Sequence, residues 1–246
     1  MPEFLKLKPP FEALSLLLTA IPEREVPSEV IATDSALNRV LIKDVLAPHP
    51  LPEFHRSTVD GYAVRASDTY GASESLPAFA RYLAELPMGK EPDITIEPGT
   101  AALIHTGGMI PHGSDAVVML EQAQLVSKDS LEIYRPIGVN ENVIQTGEDV
   151  SAGDKVISAG TRLRIPEIGG LMSFGITEVP VAKKPRVAIL SSGDEIVSPD
   201  LKPAYGQVRD INSTTMSLIV QEAGGEPIPY GIVADSESDL LEVPRK

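Results

Sequence analysis

The chain has no cysteine and no tryptophan in its 246 residues, and only four histidines. Without thiols there are no disulfides, thiolate metal sites or cysteine nucleophiles, and a reducing compartment suits such a chain. So few histidines, with His105 and His112 not at helical ligand spacing, make a zinc site an unexpected reading. Aromatic residues are 4% of the chain, so the core must come from Leu, Ile, Val and Ala, within a hydrophobic share of 42%. Basic residues are also scarce: 21 Lys and Arg face 35 Asp and Glu, a formal charge of −14. That field repels a polyanion, so nucleic acid is not an expected partner, although a local basic pocket for a small anion is compatible with it. No run of about 18 apolar residues occurs, and "MPEFLKLKPPFEALS" lacks an apolar signal core. The expectation is a soluble, cytoplasmic protein with no membrane partner.

Proline (22) and glycine (19) are plentiful and follow no collagen-like period, as many short strands and turns would require. Residues 11–21 place Phe11, Leu14, Leu17 and Leu18 at helical spacing, and Pro22 ends that helix. Residues 38–46 read as a strand, and "APHPLPEFHR" with its three prolines reads as a domain crossing. Between 57 and 145, "GYAVRA", "FARYLAEL", "TAALIHT", "DAVVMLEQ" and "LEIYR" are strand candidates separated by turns, which suggests a small barrel or sandwich. Residues 146–163 add two short strands, 164–176 a short helix, and 177–185 a proline-broken passage onward. From 186 the pattern becomes strand, loop, helix, strand. The helix is expected to be capped by Asn212 or Ser213 and closed by Gly224 and Gly225. Such a βαβ unit implies a parallel sheet. About 60 residues are fewer than a doubly wound domain usually holds, so the chain reads as ending inside a domain.

Four acids stand at comparable points: Asp60, Asp149, Glu195 and Asp235. Glu195 and Asp235 end the two strands of the βαβ unit, where ligands of open α/β sheets bind. Two hard carboxylates there suit Mg²⁺ with water or phosphate in the remaining positions. Each acid alone reads first as a cap or a solvated turn, and it is their joint position at a sheet edge that raises the ligand reading. Asp60 in "STVDGYAVRASDTYG" is open between a turn former and a ligand-facing acid. "SSGDE" (191–195) offers small residues and amides that could cradle an anion, but it lacks the spacing of a P-loop. Thr106 precedes a glycine pair and could hydrogen-bond an oxyanion, or the segment could be a plain hairpin. Lys183 and Lys184 read as a solvated pair. Ser191 and Ser192 have no histidine nearby in sequence, and no G-x-S-x-G occurs.

Six stretches in one order, "STVDGYAVRASDT", "HTGGMIPHGSDAVVMLEQ", "NVIQTGEDVSAGDKVISAGTRL", "RVAILSSGDEIV", "GQVRDINSTTMSLIVQEAGGEP" and "GIVADSESDL", closely resemble the molybdopterin molybdenumtransferases, the bacterial MoeA type and the E domain of gephyrin. The resemblance implies a reaction of adenylylated molybdopterin with molybdate, assisted by Mg²⁺, giving molybdenum cofactor and AMP. It implies an elongated homodimer of four-domain subunits whose active site forms between the α/β domain of one subunit and the β-rich domain of the other. By motif position it assigns catalytic roles to Asp60, Thr106 and Asp149. It assigns substrate binding to Ser192, Gly193, Glu195, Asp210 and Asn212, and metal binding to Glu195 and Asp235. Partners so implied are the pterin substrate and the adenylyltransferase that supplies it. "ALIHTGG" departs from the family's more usual "RI-TGA" wording at His105 and Gly108.

The fold class expected is multidomain α+β and α/β. A discontinuous dimerisation domain would span 5–45 and 146–180, a β-rich, barrel-like inserted domain 46–145, and a partial three-layer α/β domain 181–246. The family's glycine-rich phosphate loop, pterin-site lysines and last β-rich domain do not occur before Lys246, so little turnover is expected of this chain by itself. The alternative is a non-catalytic dimeric scaffold or binding module of the same fold.

Overall fold

The structure, a computed structural model, describes residues 8–22 and 25–236. In chain order the elements are α1 (Pro10–Ala20), β1 (Ser28–Ala32), β2 (Val45–Leu46), β3 (Arg56–Ser57), β4 (Gly61–Val64), β5 (Ala78–Glu85), β6 (Thr100–Ile104) and β7 (Ala116–Met119). There follow β8 (Ala123–Leu125), β9 (Ser130–Ile133), β10 (Val143–Ile144), β11 (Lys155–Ile157), α2 (Ile165–Ser173) and β12 (Glu178–Ala182). The last are β13 (Arg186–Ser192), β14 (Ile196–Val197), β15 (Val208–Arg209), α3 (Asn212–Glu222) and β16 (Glu226–Val233). Contacts divide the chain into two compact units, residues 44–158, and residues 1–43 together with 159–246.

In the unit 44–158, six strands form one curled, mixed sheet in the order β7-β4-β6-β5-β9-β8. All four residues of β4 are buried because both faces of the sheet are covered. Tyr62 and Val64 point to one side, against Ala101, Val118, Leu131 and Ile133. Ala63 points to the other, against Ala102, Ile104, Val117, Leu86 and Ile96. A strand buried on both faces loses the apolar–polar alternation, so "GYAV" and "AVV" read as continuous apolar runs. Tyr62 meets Tyr82 edge to face, with ring centroids 6.3 Å apart. At the buried turn after β4, the Thr69 hydroxyl donates to the Ala66 carbonyl and accepts from the Ile137 N–H. The expected strand at 115–122 ends at Met119 and turns into a 3-10 helix over Leu120–Gln122.

In the other unit, β1 and β12 pair antiparallel, with Val30 opposite Pro180. Leu41, Leu163, Leu171, Val179 and Val181 are its largest fully buried side chains among the described residues. The passage 177–185 is therefore largely a strand rather than a loop. Pro180 costs the strand one donor on the side that faces residues 40–42, where its carbonyl still accepts the Ile42 N–H at 3.3 Å and Leu41 bridges Val181. The strand expected at 38–46 shrinks to Val45–Leu46, with isolated bridges at Val40 and Leu41. Asn38 adopts a left-handed conformation (φ 65°) and breaks the run. β13 and β16 pair in parallel across α3, as the βαβ pattern predicts. Gly224 (φ +92°) and the Gly225 N–H, which donates to the Val220 carbonyl at 2.8 Å, close α3. Neither Asn212 nor Ser213 caps its start. Asp210 does so from just upstream, accepting the Ser213 N–H at 3.0 Å. None of the α1 residues is buried.

Candidate functional site

Asp60 and Thr106 lie 46 positions apart in sequence and meet because β4 and β6 are antiparallel neighbours, with Gly61 opposite Ile104. The acid preceding β4 thus falls beside the residues that leave β6. Asp60 Oδ1 accepts the Thr106 N–H at 2.8 Å and the Thr106 hydroxyl at 3.2 Å. The residue after the acid must be glycine for a packing reason. A Cβ at Gly61 would lie 2.0 Å from the Val118 carbonyl oxygen on β7. The glycines after Thr106 have their own duties. Gly107 has φ +82°, and a Cβ at Gly108 would lie 2.9 Å from the His105 carbonyl. The Gly107 N–H donates to the Ser57 carbonyl, and the Ser57 N–H to the Gly108 carbonyl, tying the turn to β3.

His105 stands between two acids. Its Nε2 is 2.8 Å from Glu85 Oε1, at the end of β5, and its Nδ1 is 3.6 Å from Asp60 Oδ1. The Glu85 hydrogen bond raises the imidazole above its ordinary pKa, with both carboxylate charges contributing. The Thr106 backbone donor, then its hydroxyl, holds the Asp60 carboxyl below the usual aspartate value. Asp60 is an ionised, oriented carboxylate at neutral pH, and about half of its side chain is exposed. Among the described residues its Oδ2 has no hydrogen-bond donor. An ionised acceptor with one free oxygen can hold a cation, a bound water or a ligand hydroxyl. Glu85 is a member of this cluster that the sequence reading missed. Its only signal was its place at the end of the "FARYLAE" strand.

Asp149 is not joined to Asp60 by any hydrogen bond or ion pair among the described residues. Its Oδ2 lies 4.0 Å from the Arg56 guanidinium on β3, and its N–H donates to the Leu51 carbonyl. Arg56 bridges Met109, so Asp149 attaches to the chain just beyond the Thr106 turn.

In the other unit, Ser192, Gly193, Glu195 and Asp235 gather at the carboxyl ends of the parallel strands β13 and β16. Ser192 is paired with Val233, and the Gly193 N–H donates to the Val233 carbonyl at 3.4 Å. Gly193 has φ +147°, and a Cβ there would meet Glu195 Oε2 at 3.0 Å. The loop is linked across by Asp194, which sequence reading passed over: its Oδ1 accepts the Asp235 N–H at 3.3 Å. Asp210 is buried, and its carboxyl is lowered chiefly by the Ser213 hydroxyl, then by the Ser213 N–H. Ser213 also contacts the Ser191 hydroxyl at 2.8 Å. Asp210 therefore anchors the start of α3. Asn212 is the first residue of that helix, and its carbonyl accepts the Thr215 hydroxyl.

Among the described residues, no three His, Asp or Glu side chains cluster as a metal cage. Mg²⁺ is commonly held by one or two protein carboxylates plus waters and substrate phosphates and needs no such cage. No helix among the described residues is long and apolar enough to cross a membrane.

Residues 9–175 fit the family described as MoeA N-terminal region (domain I and II), and the chain belongs to the MoeA family. Similar curated proteins are the molybdopterin molybdenumtransferases of Nostoc sp., 32% identical over 94% of this chain and 53% of that protein, and of Bacillus subtilis, 34% identical over 87% and 50%. A solved structure of the molybdopterin biosynthesis moeA protein from Pyrococcus horikoshii OT3 superposes with a TM-score of 0.91 at 36% identity, covering 98% of this chain and 63% of that one. The chain spans about half the length of the curated relatives it matches.

Proposed function

We propose that the chain contributes to a molybdopterin molybdenumtransferase, which inserts molybdate into adenylylated molybdopterin and releases AMP. The observation that supports this most is the Asp60–Thr106 pair: an exposed, ionised carboxylate held by two donors, 2.8 and 3.2 Å away, where neither residue supports the core. Asp60, Thr106 and Asp149 are the catalytic residues of this reading. Asp60 would orient a ligand or its water through Oδ2, and Thr106 would fix the carboxylate and offer its hydroxyl to an oxyanion. Ser192, Gly193, Glu195, Asp210 and Asn212 would form the substrate-binding side. Glu195 and Asp235 would hold Mg²⁺. Bound there, the ion would offset repulsion between the phosphoanhydride and molybdate and polarise the bond to AMP. An oxygen of water or molybdate would attack the adenylyl phosphorus and supply the new P–O bond of AMP, the molybdopterin phosphate would leave with the bridging oxygen, and no covalent protein nucleophile is needed. A homodimer, a cytoplasmic location and delivery of the pterin by an adenylyltransferase belong to the same proposal.

The test supplies the product of the complete reading frame with Mg²⁺, adenylylated molybdopterin and molybdate, and measures AMP. Asp60→Asn keeps the shape and removes the charge. Turnover is expected to fall by about 100-fold or more, on the scale of losing one positioned electrostatic group, with sedimentation unchanged. Wild-type turnover by the variant would remove Asp60 from the mechanism. No AMP from the unsubstituted protein would favour the dimeric scaffold reading instead.

A further inference from the structure

We propose that the recess lined by Arg39, Arg162, Lys183 and Lys184 binds a small, doubly charged tetrahedral oxyanion, either free or as the phosphate group of a larger molecule. This recess holds about 150 Å³ and lies wholly in the unit formed by residues 1–43 and 159–246. Its remaining lining is Asn38, Val40, Ala182, Pro185, Ala223 and Gly224, so no carboxylate faces it. In a chain of charge −14, four cations around an acid-free hollow run against the composition.

Only one of the four is neutralised. Arg39 donates to Glu29 Oε1 and to the Ala182 carbonyl, and its side chain is 13% exposed. Among the described residues, Arg162, Lys183 and Lys184 have no ion pair. Their backbones are fixed. Val40 bridges Arg162, the Ala182 N–H donates to the Val40 carbonyl, and the Lys183 N–H donates to the Pro27 carbonyl. The three stems are thus held at the recess by β1–β12 pairing and its extension, and only the flexible heads need ordering. At about 30 Å³ per water, the hollow has room for roughly five waters. That suits one oxyanion with residual water and is too small for a whole nucleotide or pterin. α3 ends at this wall, and the partial negative charge of its C-terminus opposes an anion. The attraction therefore comes from the side-chain cations, with Arg162 able to offer a planar fork of donors.

Inorganic phosphate titrated into the protein at fixed ionic strength, followed by calorimetry or amide chemical shifts, is the test. Binding near 1 mM or tighter is expected, about the weakest affinity that still counts as a site. It should weaken at least about tenfold in Arg162→Gln and in the double variant Lys183→Gln/Lys184→Gln, as loss of a charge-assisted contact implies. The control double variant Lys90→Gln/Lys128→Gln removes the same charge from exposed positions of the unit 44–158 and should bind like wild type. Phenyl phosphate binding more tightly than phosphate would mark the occupant as a phosphorylated molecule; equal binding would mark it as the free ion. No binding by wild type, or an equal loss in the control, overturns the proposal. Asp60→Asn should leave this binding untouched, so the outcome is separate from that of the enzymatic assay.

Discussion

Asp60, His105 and Glu85 form a chain of charge in which each partner holds the next in its ionised form. Glu85 raises the histidine, and Thr106 with the histidine lowers the aspartate. The two shifts act on opposite sides of neutrality. A raised histidine favours the folded state below its ordinary value near 6.5 and loses that contribution as pH rises through the raised midpoint. A lowered aspartate contributes above its ordinary value of 3.8 and loses it as pH falls through the lowered one. The stabilising contributions of these two shifts therefore overlap between the ordinary values of the two groups. Followed by NMR, His105 should titrate above 6.5, and Glu85→Gln should bring its midpoint back towards 6.5. A midpoint indifferent to Glu85 would show that the 2.8 Å hydrogen bond does not persist in solution. Local chemistry in the sequence left Asp60 as either a turn residue or a ligand-facing acid. What the structure adds is its long-range bond to Thr106, and that depends on strand register, which no local pattern contains.

At the scale of elements, β4 carries the strictest demand. Gly61 sits where a Cβ would fall 2.0 Å from the Val118 carbonyl, a backbone atom that cannot rotate away. Gly61→Ala should therefore push β4 off β7 and cost about 3 kcal/mol, the upper end for overpacking a tight core. Chemical denaturation would measure it, and a change under about 0.5 kcal/mol, the size of a neutral surface substitution, would mean that the sheet opens easily there. β4, β6 and β7 were legible because both of their faces are buried, which leaves unbroken apolar runs bounded by turns. The βαβ unit was legible because an apolar strand, a helix closed by two glycines and a second apolar strand follow one another directly. β1 and β12 were not. They pair across about 150 residues, and Pro180, which cannot donate to a ladder, reads in the sequence as a break. The cap of α3 was missed for a related reason. Asn212 and Ser213 are the expected residue types, but Asp210 supplies the acceptor from outside the helix.

At the scale of the whole molecule, the charge of −14 opposes compaction, because like charges are closer in the folded chain than in the unfolded one. Added salt screens that repulsion over about 10 Å at 0.1 M. It also weakens the favourable surface pairs, such as Lys155–Asp44 and Arg135–Glu141. Exposed pairs of this kind contribute about 0–1 kcal/mol each, and there are few of them beside 35 acids. Repulsion should therefore dominate, and the melting temperature at pH 7 should rise between about 10 and 150 mM NaCl, as the screening length falls from about 30 to 8 Å. The ordering of anions gives a second comparison. Millimolar phosphate should raise the midpoint beyond NaCl of equal ionic strength, since a ligand that binds only the folded state adds stability according to its saturation. The extra rise should vanish in Arg162→Gln, whereas the general salt effect should remain. A midpoint that falls as NaCl is added would mean that ion pairs outweigh the net charge. A phosphate effect no larger than that of NaCl would leave the basic recess without an occupant of this class.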